Sequence, residues 1–155
     1  MAEARKIIDD WYRPMPKVRE YINSQRRKPS LGEPCVTLLG RERHFIITTE
    51  NINHVQNEYI NTPIQSLASD FTMLSLMEIS DYIDRECIDA KIVATVHDSI
   101  ILEVLDDDEL VNRVAAKCID IMATVPSMYI EDNPVPFKAD ADVGYKWGGL
   151  KKWDI

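Results

Sequence analysis

The stretch IDAKIVATVHDSIILEV, residues 88–104, constrains the fold more than any other part of the chain. Two apolar runs are joined by a very short connection centred on His97 and Asp98. Apolar runs of this length with so short a connection predict two buried strands in a tight antiparallel hairpin. The hairpin therefore places a histidine and a carboxylate together at its tip.

Helix-compatible segments occupy much of the remaining chain, because apolar residues recur there at helical spacing. They are predicted at residues 2–12, 16–27, 49–61 and 64–87, and again after the acidic run 106–109. Pro63 predicts a break or a first helical turn, and residues 28–34 predict a loop. The acidic run favours capping of the last helix over metal binding, because a helix dipole stabilises acids at the N-terminus.

Two further strand regions complete a mixed α+β pattern. CVTLLGRERHFII predicts a second hairpin that turns at Gly40, with Arg41 and Arg43 near its tip. After a proline-containing loop, residues 137–153 predict a last strand and a basic, aromatic tail. The expected fold is therefore an antiparallel sheet whose central hairpin packs against long helices.

Length and charge indicate a single folded domain with an uneven charge distribution. At 155 residues the chain is long enough for one core. Residues 1–50 carry ten Lys and Arg against seven Asp and Glu, whereas residues 51–155 carry eight against nineteen. The first part is thus suited to a polyanion, while most acids of the second are explained by solvation.

Cysteine usage and hydropathy point to the cytoplasm. Three cysteines without a CxxC pair indicate neither a disulfide framework nor a zinc site. The N-terminus has charges where a secretory signal needs an apolar run, and no stretch approaches the length of a transmembrane helix.

A carboxylate at the tip of a tight hairpin is rigidly placed, which is what a metal-ligating aspartate needs. Mg²⁺ usually takes one or two protein carboxylates together with phosphate oxygens of the substrate. His97, Asp98 and Ser99 are equally compatible with a simple polar turn, because Asp and Ser favour turns. The hairpin alone leaves both interpretations open.

A second motif makes the interpretation specific. NTPIQSLASD, residues 61–70, resembles the NxPIQGxAAD helix of family A DNA polymerases, and VHDSIILEV resembles motif C of that family. EARKIIDDWYRPMPKVREYI, TLLGRERHF and ADVGYKWGGLKKW resemble further parts of these enzymes in the same order. The resemblance therefore extends over essentially the whole chain.

This resemblance implies a role for several residues. Asp98 corresponds to the motif C aspartate that binds the catalytic Mg²⁺ ions, and His97 to the histidine that contacts the primer terminus. Asn61 and Gln65 correspond to residues that contact the primer-template duplex at its minor groove, where every correct base pair presents acceptors. Arg41 and Arg43 lie in the basic turn, where phosphate contact and plain solvation are both compatible with the sequence.

Three positions depart from the family pattern. Ser99 stands where the family usually has a second acidic residue of motif C, which leaves Asp98 as the expected metal ligand. Asn57 stands where an arginine often precedes the Asn61 motif, and Ser66 replaces a glycine.

The family's motif A aspartate and its nucleotide-binding helix, which holds the dNTP, are not found in the sequence. Two-metal catalysis needs more than one carboxylate, so the chain alone is not expected to polymerise DNA. We expect a single unit, residues 1–155, that forms the C-terminal palm part of a polymerase. Residues 1–50 would supply fingers-to-palm helices and the basic hairpin, and residues 51–155 the palm.

The expected partners are primer-template DNA, dNTP and an N-terminal polymerase fragment that carries motif A, in the cytoplasm of a bacterial host if the gene is phage-encoded. Two alternatives remain. One is a catalytically decayed DNA-binding or scaffold module of a replication complex. The other is an unrelated α+β domain whose His-Asp turn is accidental.

Overall fold

The computed structural model describes residues 2–153 and shows helices interspersed with short antiparallel strands. The helices are α1 (Ala2–Tyr12), α2 (Pro16–Leu31), α3 (Ile52–Arg85) and α4 (Asp108–Thr124). The strands are β1 (Cys35–Val36), β2 (Glu42–Arg43), β3 (Ala90–Val96), β4 (Ser99–Val104), β5 (Asp142–Val143) and β6 (Lys151–Lys152). The predicted α+β class is confirmed.

The strands of the described residues form three separate two-stranded sheets, each an antiparallel hairpin: β1 with β2, β3 with β4 and β5 with β6. The chain divides into two compact units, with the boundary inside α3 between Leu67 and Ala68. The first unit contains α1, α2 and the β1–β2 hairpin, and the second contains the other two hairpins and α4.

In the first unit, α2 is longer than the sequence pattern predicts. The loop expected at residues 28–34 is wrong for its first four residues, because the helix continues through Pro29 to Leu31 and the loop begins only at Gly32. Gly32 then adopts a left-handed φ of 70° and donates its N–H to the Pro29 carbonyl, while Glu33 donates to Lys28. This Schellman arrangement satisfies the last carbonyls of the helix and ends it at a glycine.

A small apolar cluster joins the β1–β2 hairpin to the first half of α3. Cys35, Val55 and Tyr59 are buried together, and Phe45 packs against them. The Tyr59 hydroxyl donates to the Glu33 carbonyl at 2.8 Å. The hairpin turns at Gly40, whose φ of 80° requires a left-handed residue, as the sequence predicts.

The break predicted at Pro63 is also wrong, because α3 runs without interruption from Ile52 to Arg85. A proline inside a helix has no N–H, so the carbonyl four residues earlier, that of Tyr59, loses its helical partner. Burial of the flanking residues Tyr59 and Thr62 holds this turn in the helix despite that loss. Tertiary packing therefore overrides the local preference.

The core of the second unit lies between the β3–β4 hairpin, the second half of α3 and α4. Ile92, Ile100, Leu102 and Val104 of the hairpin pack against this cluster. Its buried members are Ile79, Tyr82, Ile83, Ile88, Ala90, Val114, Ile121 and Val125. One face of the hairpin thus covers two helices, which confirms the predicted packing of this hairpin against helices.

The acidic run before α4 acts as a helix cap, as predicted. The Asp107 carboxylate accepts the backbone N–H of Leu110 at 2.8 Å, and Asp108 and Glu109 lie in the first turn. This arrangement satisfies a helix N–H that would otherwise lack a partner and places negative charge at the positive end of the helix dipole.

The segment predicted as a last strand with a basic, aromatic tail contains a short hairpin, in which Asp142 pairs with Lys152 and Val143 with Lys151. Gly144 is required there, because a Cβ at this position would lie 2.9 Å from the Gly149 carbonyl oxygen.

Candidate functional site

The tip of the β3–β4 hairpin consists of two residues only. Val96 pairs with Ser99, so His97 and Asp98 form the whole connection. His97 has a φ of 57°, in the left-handed region, whereas Asp98 is not among the described residues with positive φ. A positive φ at the first position of a two-residue hairpin turn is normally supplied by glycine. A histidine there carries backbone strain, and such strain is concentrated at functional sites.

Both side chains of the tip are exposed and unengaged. His97 and Asp98 are solvent-exposed, and within residues 2–153 neither side chain has a hydrogen-bond or ion-pair partner. The strands below the tip are held by six cross-strand residue pairs, and Val93 forms a bulge in β3 three pairs below the tip. Bulges re-aim the strand end next to many active sites. The carboxylate is therefore accessible on a well-defined backbone.

Ser99 has a structural contact at this tip. Its hydroxyl donates to the Val96 carbonyl at 2.8 Å and so closes the turn. An ionised carboxylate is an acceptor only, so an acidic residue at this position could not make that hydrogen bond. A serine in place of an acidic residue at position 99 therefore removes a negative charge next to Asp98 and adds a hydrogen bond within the hairpin.

The donor chemistry of the tip fits a Mg²⁺ ligand, although not a complete site. A carboxylate oxygen is the hard donor that Mg²⁺ prefers. Among the described residues, no group of three or more His, Cys, Asp or Glu side chains is arranged to hold a metal ion. Asp98 therefore fits as one ligand, and other ligands would have to come from substrate or from other polypeptide segments.

Asn61 and Gln65 lie on exposed positions of α3, in the first unit. Their spacing of four residues places them one above the other on one helix face. Thr62, between them in sequence, is buried with 5% of its surface exposed. The helix thus presents its amide side chains to solvent while the neighbouring threonine faces the protein.

The structure places Arg41 and Arg43 in different surroundings. Arg41 follows the turn of the β1–β2 hairpin and is exposed, with its backbone N–H bonded to the Thr37 hydroxyl at 3.1 Å. The Arg43 guanidinium donates to the Thr62 hydroxyl at 2.8 Å and to the Glu58 carboxylate at 2.7 Å. It also lies over the Phe45 ring, 4.7 Å from the centroid.

Sequence reasoning missed Glu58 and Thr62 as partners of Arg43. Their spacing of four residues on α3 would have indicated a shared face. No pattern in the sequence, however, shows that the β1–β2 hairpin approaches that face.

Comparison with known proteins decides the family. The profile described as DNA polymerase family A matches residues 1–149. The chain belongs to DNA polymerase family A. The earlier resemblance is thereby confirmed over nearly the full sequence.

Family A relatives occur in bacteria, phages and plant organelles. The chain is 28% identical over 153 residues to the DNA polymerase of Bacillus phage SP01, covering 94% of this chain and 16% of the relative. It is 26% identical to DNA polymerase I of Geobacillus stearothermophilus, covering 96% and 17%. It is 31% identical over 119 residues to the chloroplastic/mitochondrial DNA polymerase I A of Arabidopsis thaliana, covering 75% and 11%. The chain thus spans less than a fifth of the length of these family A relatives.

A solved structure shares the fold. The POL domain of Pol1 from M. smegmatis, in complex with DNA primer-template and dNTP, aligns with a TM-score of 0.69 at 19% identity. The alignment covers 80% of this chain and 22% of the Pol1 chain. None of the helices in residues 2–153 is long and apolar enough to cross a membrane.

Proposed function

We propose that this chain is the C-terminal palm portion of a family A DNA-directed DNA polymerase, acting in DNA replication in the cytoplasm as part of a composite enzyme. Residues 51–155 would form the palm, and residues 1–50 the fingers-to-palm helices with the basic hairpin. The observation that carries the proposal is the hairpin tip, where a free carboxylate follows a histidine in a strained left-handed conformation. Backbone strain that does not stabilise the fold is expected at positions where a side chain is placed for binding or catalysis.

Four residues of the chain then have defined tasks. Asp98 holds a catalytic Mg²⁺ through a carboxylate oxygen, and His97 contacts the end of the primer. Asn61 and Gln65 donate amide N–H groups to minor-groove acceptors, which are present in every correct base pair. Bound Mg²⁺ supplies electrostatic stabilisation to the phosphoryl group being transferred. The dNTP is bound by another segment, which carries motif A and the nucleotide-binding helix.

Reconstitution tests this proposal. The chain is mixed with the part of the phage SP01 polymerase that precedes the matched region, and in a second arrangement is fused to it. We expect Mg²⁺-dependent primer extension from the combination and none from this chain alone. Asp98→Asn should lower the rate at least about a thousandfold, because a metal ligand stabilises the transition state by several kcal/mol.

Asp81→Asn is the matched control, since it removes an exposed carboxylate from α3 and should leave extension unchanged. Extension that requires this chain but is equally fast with Asp98→Asn would refute the role of Asp98. A folded combination of both parts with no extension would refute the composite enzyme.

A decayed DNA-binding or scaffold module is the second candidate, and the Ser99 contact favours it. The hydroxyl stabilises the turn at the expense of a second acidic group beside Asp98. This candidate predicts duplex DNA binding that is indifferent to Asp98→Asn and to Mg²⁺. Ser99→Glu distinguishes the two, because it should raise extension in a working enzyme and change nothing in a decayed one.

A further inference from the structure

Arg43 bridges two consecutive turns of α3. Its guanidinium donates to the Glu58 carboxylate at 2.7 Å and to the Thr62 hydroxyl at 2.8 Å. Those two partners are four residues apart and therefore lie on one face of the helix. The bridge starts from β2, so it adds a polar attachment of the β1–β2 hairpin to the helix beside the apolar cluster of Cys35, Val55 and Tyr59.

The bridged turn of α3 contains a proline and lacks one backbone hydrogen bond. Pro63 has no N–H, so the Tyr59 carbonyl loses the hydrogen bond that would normally join residues 59 and 63. Arg43 joins residues 58 and 62, which span the same turn one residue earlier. A side-chain bridge thus lies alongside the missing backbone bond.

The Arg43 guanidinium is itself held in place on a third side. It lies 4.7 Å from the centroid of the Phe45 ring, and Phe45 packs on Tyr59 with ring centroids 5.3 Å apart. Tyr59 belongs to the buried cluster of the first unit. Both polar contacts are made by Nη1 while the guanidinium carbon lies over the ring. A lysine side chain is one bond shorter and has no planar group to lie over Phe45, so it would not reproduce this geometry.

The braced turn is also the one that presents Asn61 and Gln65. Thr62 is buried against the hairpin, while its neighbour Asn61 is exposed. A helix residue and its neighbour differ by about 100° around the axis, so holding Thr62 sets the direction in which Asn61 and Gln65 point. We propose that Arg43 is a positioning residue that aims these two side chains at the DNA duplex by bracing the Pro63 turn. This proposal rests on the DNA-binding role proposed above.

The bridge and a direct phosphate contact predict different behaviour for Arg43→Lys. Lysine keeps the positive charge, so a phosphate contact would survive the change. The bridge would not survive intact, because a lysine side chain is one bond shorter and has no planar group to lie over Phe45 while its nitrogen donates to both acceptors. Thr62→Val removes one acceptor without touching any cationic group, and Thr62→Ser retains the hydroxyl.

The binding experiment uses the full chain and a primer-template duplex in fluorescence anisotropy. Guanines at successive duplex positions are replaced in turn by 3-deazaguanine, which lacks the minor-groove N3 acceptor. At the contacted position, wild type should lose affinity about threefold to tenfold, as for one hydrogen bond. At the same position, 3-deazaguanine should lower the DNA affinity of Arg43→Lys and Thr62→Val by less than about twofold. Thr62→Ser and the control Arg27→Lys should lose as much affinity as the wild type.

The salt dependence of DNA binding distinguishes a phosphate contact of Arg43 from a positioning role. For Arg43→Lys, the slope of log affinity against log salt should equal that of wild type. If instead Arg43→Lys keeps the full sensitivity to 3-deazaguanine while Arg43→Met lowers the salt slope by about one, Arg43 is a phosphate contact and the proposal is overturned.

Hydrogen exchange tests the brace independently of DNA. Amides of residues 59–67 should exchange at least about tenfold faster in Arg43→Lys than in Arg27→Lys, because local opening of the turn becomes easier. Unchanged exchange would overturn the brace whatever the DNA result. A third outcome combines faster exchange in Arg43→Lys with a wild-type affinity that no 3-deazaguanine substitution changes. That outcome would retain the brace. It would overturn the positioning role of Arg43, together with the proposed contacts of Asn61 and Gln65.

Discussion

Replacing His97 by glycine tests the strain at the hairpin tip directly. The φ of 57° places a residue with a Cβ in the left-handed region. That conformation costs a non-glycine residue about 1–2 kcal/mol, which glycine does not pay. Glycine also adds conformational freedom to the unfolded chain, which lowers stability by about 0.5–1 kcal/mol. His97→Gly is therefore expected to be neutral or to stabilise the fold by up to about 1.5 kcal/mol.

Asp98→Gly is the internal control for this experiment. Asp98 is the other residue of the same turn and lacks a positive φ, so its replacement brings the entropic cost without the relief of strain. The difference between the two variants should be about 1–2 kcal/mol, and both can be followed by circular dichroism in urea. His97→Asn should lie close to His97→Gly, since asparagine tolerates left-handed backbone.

The result that refutes this reasoning is equally clear. If His97→Gly and Asp98→Gly lower the urea midpoint by the same amount, the tip is not strained and loses its value as evidence for function. If the tip is strained for function, the stabilised His97→Gly chain should still lose primer extension in the reconstituted enzyme. Stability and activity would then change in opposite directions.

Three further predictions concern the second unit, and each is measured as a change in unfolding midpoint. Burial raises the pKa of Cys118 to about 11, above the ordinary thiol value of 9.0, so the unfolded chain ionises first. The free energy of unfolding should therefore fall between pH 9 and 11, by at most about 3 kcal/mol at pH 11. If the unfolding free energy of the wild type falls no more steeply with pH than that of Cys118→Ala, this prediction is contradicted. Asp107→Ala removes the cap of α4 and should cost about 1 kcal/mol, and an unchanged midpoint would contradict the capping role. Gly144→Ala brings a Cβ to 2.9 Å from the Gly149 carbonyl oxygen and should lower stability by about 1–3 kcal/mol. In the control Gly148→Ala, the Cβ meets no atom within 4 Å, so the loss of stability should be smaller. Equal losses would show that the backbone at Gly144 and Gly149 moves apart without cost.

Features that depend on neighbouring residues alone could be predicted from the sequence. The two-residue connection at His97 and Asp98 leaves an antiparallel hairpin as the simple solution. The Asp107 cap is equally local, because the carboxylate and the N–H it accepts are three residues apart. Motif matching likewise needed only the order of residues, and it led to the family through NTPIQSLASD and VHDSIILEV.

Features that depend on distant residues could not be predicted in this way. Both proline predictions were wrong for the same reason: a helix loses one hydrogen bond at Pro29 or Pro63, and burial against remote segments compensates for it. The site shows the same division. Sequence alone indicated which residues are the candidates for the chemistry, Asp98 above all, because residue type and order are local properties.

Only the tertiary structure decided how those residues are held. It placed His97 in a left-handed conformation and gave Arg43 two partners on α3. A guanidinium near a basic turn has the same sequence context whether it faces phosphate or a carboxylate. The choice depends on which segment packs beside it, and packing is a property of the folded chain as a whole.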